Sequence, residues 1–166
     1  MKIQKIKNFI IDVDGTLSND FFIYSKNGKQ YKLFGPDDSD ALNILKKYLK
    51  INFISADKRG FPITKKRITD MGFQVDLVSK KKTRLNWLQE NFSLDNSIYM
   101  GDSFTDIPIF KKIKYSITPA NSFYLCKKFS NYTTKHNSAS RSVAEACDHI
   151  LNKFFKTSLL KEIQIS

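Results

Sequence analysis

The stretch NFIIDVDGTLSND, residues 8–20, runs from an apolar segment into two carboxylates one residue apart and then a glycine. An uninterrupted Phe9-Ile10-Ile11 suits a strand buried on both faces. Residues i and i+2 of a strand share a face, so Asp12 and Asp14 project side by side. Two like charges that close repel unless a cation or a shared proton relieves them. Asp-Gly alone is an ordinary turn signal. Read as chemistry, the pair is a metal or acid–base site.

Outward from this stretch, apolar runs alternate with helical patterns. Residues 21–34, FFIYSKNGKQYKLF, place two β-rich runs around an Asn-Gly turn, a strong hairpin signal. Residues 39–50 carry Ala41, Leu42, Leu45 and Leu49 at helical spacing, and INFIS, 51–55, is a short strand ending in a hydroxyl. A helix over 63–72 stops at Gly72. Strands are then expected at 74–78, 97–102 and 115–120, and helices at 84–92, 107–113 and 142–155. Residues 157–166 are read as a tail. This alternation predicts an α/β fold with a mostly parallel sheet covered on both sides.

Composition narrows the class. With 41% hydrophobic and 27% charged residues in 166, the chain is globular and long enough for one domain with its own core. No apolar run reaches the roughly 18 residues that a membrane span needs. The N-terminal MKIQKIKNFII sets basic residues before apolar ones, as a leader does, but its apolar part is short and breaks into acids. It reads as the first strand of a cytoplasmic protein. Cys126 and Cys147 lie far apart and form no metal-ligand spacing with His136 or His149, so two reduced thiols are expected and zinc is not. The net charge of +12 attracts polyanions. Its lysines are scattered, however, with one tight cluster in SKKKTR, 79–84, and no nucleic-acid motif accompanies them. A solvated basic surface is expected, with no nucleic-acid or membrane partner.

Asp12, Asp14, Ser55 and Asp102 all fall at or just past the C-terminal end of an expected strand, where open α/β sheets form their sites. Four ordered segments, DVDGTL at 12–17, Ser55 after its strand, a basic residue ahead of a helix, and GDSFTD at 101–106, together resemble the motifs of the haloacid dehalogenase-like phosphatases. The resemblance spans residues 9 to about 155. It implies a Rossmann-like three-layer α/β/α sandwich, one hydrolase domain over 1–156 with a hairpin insertion after strand 1, about 21–34. No segment is long enough for a cap domain, which resembles the capless subclass that includes 3-deoxy-D-manno-octulosonate 8-phosphate phosphatases and the phosphatase domains attached to acylneuraminate cytidylyltransferases.

The resemblance also implies roles. Asp12 would be the nucleophile that forms an aspartyl-phosphate. Asp14 would be the acid–base group. Mg2+ would be held by the Asp12 carboxylate, the Asp14 backbone carbonyl and Asp102, with Asp106 orienting that cluster. Ser55 would donate to a phosphoryl oxygen, and Gly15 would free the chain to turn with its backbone N–H groups toward phosphate. Either Lys81 or Arg84 would supply the basic group that stabilises phosphoryl charge. The substrate implied is a small sugar phosphate or sugar-acid phosphate, 3-deoxy-octulosonate 8-phosphate-like or nonulosonate 9-phosphate-like. In such relatives the hairpin assembles homotetramers, which suits an aromatic-rich hairpin that would otherwise be an exposed edge.

Departures from those relatives fall around the substrate. GPDDSDAL, 35–42, has Asp37 where they carry arginine, and SADKRGF, 55–61, replaces their Thr-Gly-Arg. Lys58, Arg59 and the retained Arg141 are candidate substrate contacts. Two further readings stand beside the phosphatase: a non-catalytic assembly or regulatory protein of this family acting beside a sugar-nucleotide enzyme, and a polynucleotide phosphatase prompted by the +12 charge.

Overall fold

In the computed structural model, which describes residues 6–78 and 83–165, β1 (Asn8–Asp12) lies inside a sheet because its three central residues, Phe9, Ile10 and Ile11, are apolar on both faces. Phe9 and Ile11 point into one layer and Ile10 into the other, all fully buried. The other strands are β2 (Ile23–Ser25), β3 (Gly28–Tyr31), β4 (Lys50–Ser55), β5 (Val75–Leu77), β6 (Ser97–Met100), β7 (Tyr115–Thr118) and β8 (Tyr132–Thr133). Six of them form one sheet in the order β5-β4-β1-β6-β7-β8, every pair parallel. β2 and β3 stand apart as an antiparallel hairpin.

The helices are α1 (Asp38–Leu45), α2 (Phe61–Asp70), α3 (Arg84–Asn91), α4 (Ile107–Phe110), α5 (Tyr124–Phe129), α6 (Ser142–Ile150) and α7 (Leu159–Ile165). Leu42 and Leu45 of α1, Ile68 of α2, and Val143, Ala146 and Ile150 of α6 cover Phe9, Ile11 and Phe53. Leu88 of α3, Ile109 and Phe110 of α4 and Cys126 of α5 cover Ile10, Ile54 and Tyr99 on the opposite face. The result is the expected Rossmann-like α/β/α layering.

The differences from expectation have local causes. The helix expected over 107–113 shortens to one turn, preceded by a 3-10 turn at Phe104–Asp106 whose N-cap is Ser103. The helix expected to 155 gives way after Ile150 to a wider turn ending at Lys156, which takes a left-handed φ of 57°. The segment read as a tail carries α7, held by Tyr48 and Thr157 donating to Glu162. α5 and β8 were not expected, since neither is long enough to show a period.

Parallel strands in register align their C-terminal ends. Asp12 lies opposite Ile54, one residue before Ser55, and Ile11 lies opposite Met100, two residues before Asp102. The chain winds from β1 through β4 to β5, then crosses back to β6 on the other side of β1. Sheet crevices open at such a reversal.

One buried charge ties the helices of a layer together. Asp38, the first residue of α1, is 1% exposed and accepts a 2.8 Å hydrogen bond from the Ala144 amide of α6. Its Oδ2 has no hydrogen-bond partner among the described residues. Burial, only partly offset by the Ala144 bond, pushes its carboxyl up to about 6. The folded state therefore binds this proton more tightly than the unfolded chain, so stability from this group is fully present below about pH 4 and is lost as pH rises to about 6. The loss is about 3 kcal/mol. Urea unfolding of wild type and Asp38→Asn from pH 4 to 7 should show the wild type losing about that much relative to the variant, whose side chain cannot titrate. Parallel pH profiles would exclude the effect.

Candidate active site

Past β1 the chain turns sharply, with Ser18 N–H donating to the Val13 carbonyl at 2.8 Å. Gly15 sits in this turn at φ 85°, and a Cβ there would lie 2.2 Å from Asp102 Oδ2. Both the left-handed backbone and the close approach require glycine. The turn brings Thr16 Oγ1 to donate to Asp102 Oδ1 at 3.0 Å.

Asp106 anchors the acidic group. Its Oδ1 accepts from Arg84 Nη1 and Tyr99 OH, each at 2.8 Å. Its Oδ2 accepts from the Asp102 and Ser103 amides at 3.1 and 3.0 Å. Both oxygens are thus engaged, and Asp106 holds the loop that carries Asp102. The same Arg84 nitrogen reaches Asp12 Oδ2 at 2.6 Å. Arg84 is the first residue of α3, a helix capped by Thr83, so the cap sets where the guanidinium starts.

Carboxylate oxygens of Asp12, Asp102 and Asp106 lie within 4.8 Å of one another. Burial pushes Asp12 well up from the usual carboxylate range, Arg84 opposing and the neighbouring acids adding to it. Burial, and then Asp106, pushes Asp102 up to about 7. Arg84 is pushed up as well: burial disfavours its charge, but Asp12 and the other anionic neighbours outweigh it and hold it protonated. A cluster of hard oxygen donors with excess negative charge fits Mg2+. Asp106 is consumed by its four donors, which leaves Asp12 and Asp102 as the carboxylates that could hold such an ion.

Asp14 faces the other side of the turn. Ser55 Oγ donates to its Oδ2 at 2.7 Å, and Lys32 Nζ contacts its Oδ1. Beyond them opens a cleft of about 830 Å³ lined by Asp14, Phe22, Asp57, Lys58, Arg59 and Arg84 among others.

The structure thus gathers Asp12, Asp14, Gly15, Ser55, Arg84, Asp102 and Asp106, and sets Lys58 and Arg59 on the cleft wall. Lys81 lies outside the described residues. Arg141 does not line this cleft: its Nε pairs with Asp37 Oδ2 at 2.5 Å. Sequence reading passed over Lys32, Asp57, Thr16 and Tyr99. A tyrosine within the buried SIYM strand was the available signal, because its hydroxyl must find a partner. Lys32 gave none, being one of 28 basic residues on a chain read as having a solvated basic surface.

Residues 22–147 match the family model described as haloacid dehalogenase-like hydrolase. The 3-deoxy-D-manno-octulosonate 8-phosphate phosphatase of Haemophilus influenzae is 27% identical over 98% of this chain and 92% of its own length. A probable YrbI family phosphatase from Pseudomonas syringae superposes with a TM-score of 0.83 at 20% identity, covering 98% of this chain and 94% of that one. The 3-deoxy-D-manno-octulosonate 8-phosphate phosphatase of Moraxella catarrhalis, solved with magnesium, phosphate and KDO, superposes with a TM-score of 0.78 at 24% identity, covering 92% and 91%.

Proposed function

The chain belongs to the haloacid dehalogenase-like hydrolases and is a phosphatase, and from that premise we propose that it hydrolyses the phosphate monoester of a small sugar acid of the 3-deoxy-octulosonate 8-phosphate kind, with Mg2+ and through an aspartyl-phosphate. The observation that carries this is the placing of Arg84 between Asp12 and Asp106 while Asp14 faces the adjoining cleft. An enzyme needs a nucleophile and an acid on different sides of one phosphorus, and a fixed positive charge beside it.

In this reading Asp12 attacks phosphorus. Arg84 and Ser55 donate to phosphoryl oxygens as negative charge builds there. Asp14 protonates the leaving oxygen and later deprotonates water. Bound Mg2+, held by Asp12, Asp102 and the Asp14 carbonyl, would neutralise charge on the carboxylates and the phosphate. The exposed Lys58 and Arg59 suit a substrate carboxylate at the cleft wall. Buried carboxylates this close cost stability, which a non-catalytic protein has no need to bear.

The reading includes a single catalytic domain over 1–156 and a homotetramer assembled through the hairpin. Phe21 and Tyr31 there are 72% and 64% exposed, and Phe22, Tyr24 and Leu33 are also uncovered, an apolar surface large enough to favour contact. Among the described residues no helix is long and apolar enough to cross a membrane. The free, buried Cys126 and Cys147 suit a cytoplasmic setting.

Purified protein should release phosphate from 3-deoxy-D-manno-octulosonate 8-phosphate with Mg2+ and stop when EDTA removes it. Sedimentation of the same preparation should give a species of four chains. No phosphate release from this or any other sugar phosphate would defeat the reading.

A further inference from the structure

Lys32 follows β3 immediately, yet its side chain turns inward and is 2% exposed. An ammonium carries three donors and no acceptor, and three acceptors meet it: Asp14 Oδ1, Thr64 Oγ1 at 2.7 Å and Asp57 Oδ2 at 2.9 Å. A buried ammonium is costly unless paired and fully hydrogen-bonded, and this one is both. Thr64, on α2, is fully buried. Asp57 is itself clamped by Lys29 and by the Gly60 amide at 3.1 Å. Burial works against its charge, but the lysine bonds prevail and hold it down to about 2, so it stays an anion at ordinary pH. A Cβ at Gly60 would stand 2.7 Å from Lys32 Cε and 2.2 Å from Asp57 Oδ2, so this packing depends on glycine there.

The consequence falls on Asp14. Its Oδ1 faces a group that can only donate, whereas its Oδ2 faces the Ser55 hydroxyl, which can donate or accept. A proton carried by Asp14 has room only on Oδ2. We propose that Lys32 is a positioning residue for Asp14, confining the transferable proton to Oδ2 and fixing that oxygen's direction, so that the hairpin base belongs to the reaction machinery.

The proposal rests on the phosphatase reading above. In the first half-reaction the bond from Asp12 to phosphorus forms as the bond from phosphorus to the sugar oxygen breaks. The Oδ2 proton of Asp14 passes to that departing oxygen. In the second, Asp14 takes a proton from the water that attacks phosphorus, Asp12 leaves as carboxylate, and inorganic phosphate departs.

The test compares kcat/KM on two esters for wild type, Lys32→Met and Lys32→Gln, all with Mg2+. One ester is 3-deoxy-D-manno-octulosonate 8-phosphate, whose alkoxide must be protonated to leave. The other is p-nitrophenyl phosphate, whose phenolate leaves unassisted. The variants should lose about 100-fold on the sugar ester, the scale of general-acid catalysis, and less than about fivefold on the aryl ester. Equal losses on both esters, or none on the sugar ester, would overturn the proposal, because a merely structural lysine does not distinguish leaving groups. Thermal unfolding shows which variants fold; one folded variant suffices for the comparison, and if neither folds Lys32 is structural and the proposal fails. A wild type that cleaves neither ester defeats the phosphatase reading itself and the proposal with it, a result distinct from equal losses in an active background.

Discussion

Asp12→Asn is expected to lower kcat on a sugar phosphate by at least about 10³-fold, since losing a nucleophile removes the whole covalent route. Asparagine keeps the size and one carbonyl oxygen of the side chain, which can still accept from the Val13 amide that Asp12 Oδ1 takes at 3.0 Å. Arg84 retains Asp106 as its partner. The fold should therefore survive, and near-UV circular dichroism of the variant should match wild type. Phosphate release at saturating substrate is the measurement. An Asp12→Asn protein turning over at a comparable rate would remove Asp12 from the nucleophile's role and leave the aspartyl-phosphate without support.

Arg84→Met should damage both stability and turnover. One nitrogen, Nη1, lies 2.6 Å from Asp12 and 2.8 Å from Asp106, and both acids are buried. Removing it strands two carboxylates away from water, at a cost of about 3–5 kcal/mol. Loss of the fixed charge beside the phosphoryl group should lower kcat by about 10²-fold or more. Urea unfolding reads the first effect and steady-state kinetics the second. Arg84→Lys sharpens the test. Because a single nitrogen makes both contacts, an ammonium of suitable reach can replace it, and this variant should keep most of the stability. If Arg84→Met unfolds at the same urea concentration as wild type, the ion-paired arrangement contributes nothing.

Much of this fold was legible along the chain because parallel α/β sheets write a distinctive pattern. Strands buried on both faces read as short apolar runs, and each crossover helix shows its own period between them. Ile10 and Ile54 on one face, with Phe9 and Phe53 on the other, needed no more than that. What failed was short or held by polar contacts. α4 has one turn, β8 has two residues, and α7 is held partly through Glu162, which no apolar period reveals.

The site divides in the same way. Asp12, Asp14, Ser55 and Asp102 could be placed together from sequence, because each ends or follows a strand and parallel register carries those ends to one edge. The choice between Lys81 and Arg84 could not be made there, since several basic residues precede one helix. The described structure puts Arg84 against two of the carboxylates, and Lys81 is not among the described residues. Arg141 was named as a substrate candidate by its kinship to a retained motif, and the structure shows its Nε paired with Asp37 Oδ2.

By itself, then, the sequence determined the sheet, its layers and the carboxylates at its edge, because backbone periodicity and strand ends are local properties. Only the tertiary structure decided which cations attend those carboxylates. Lys32 comes from a hairpin and Arg84 from a helix start, 18 and 72 residues from the acids they meet. A lysine bound for solvent and one bound for a buried carboxylate look identical in sequence. The difference is the set of acceptors that folding brings around the ammonium, and whether they repay its loss of water.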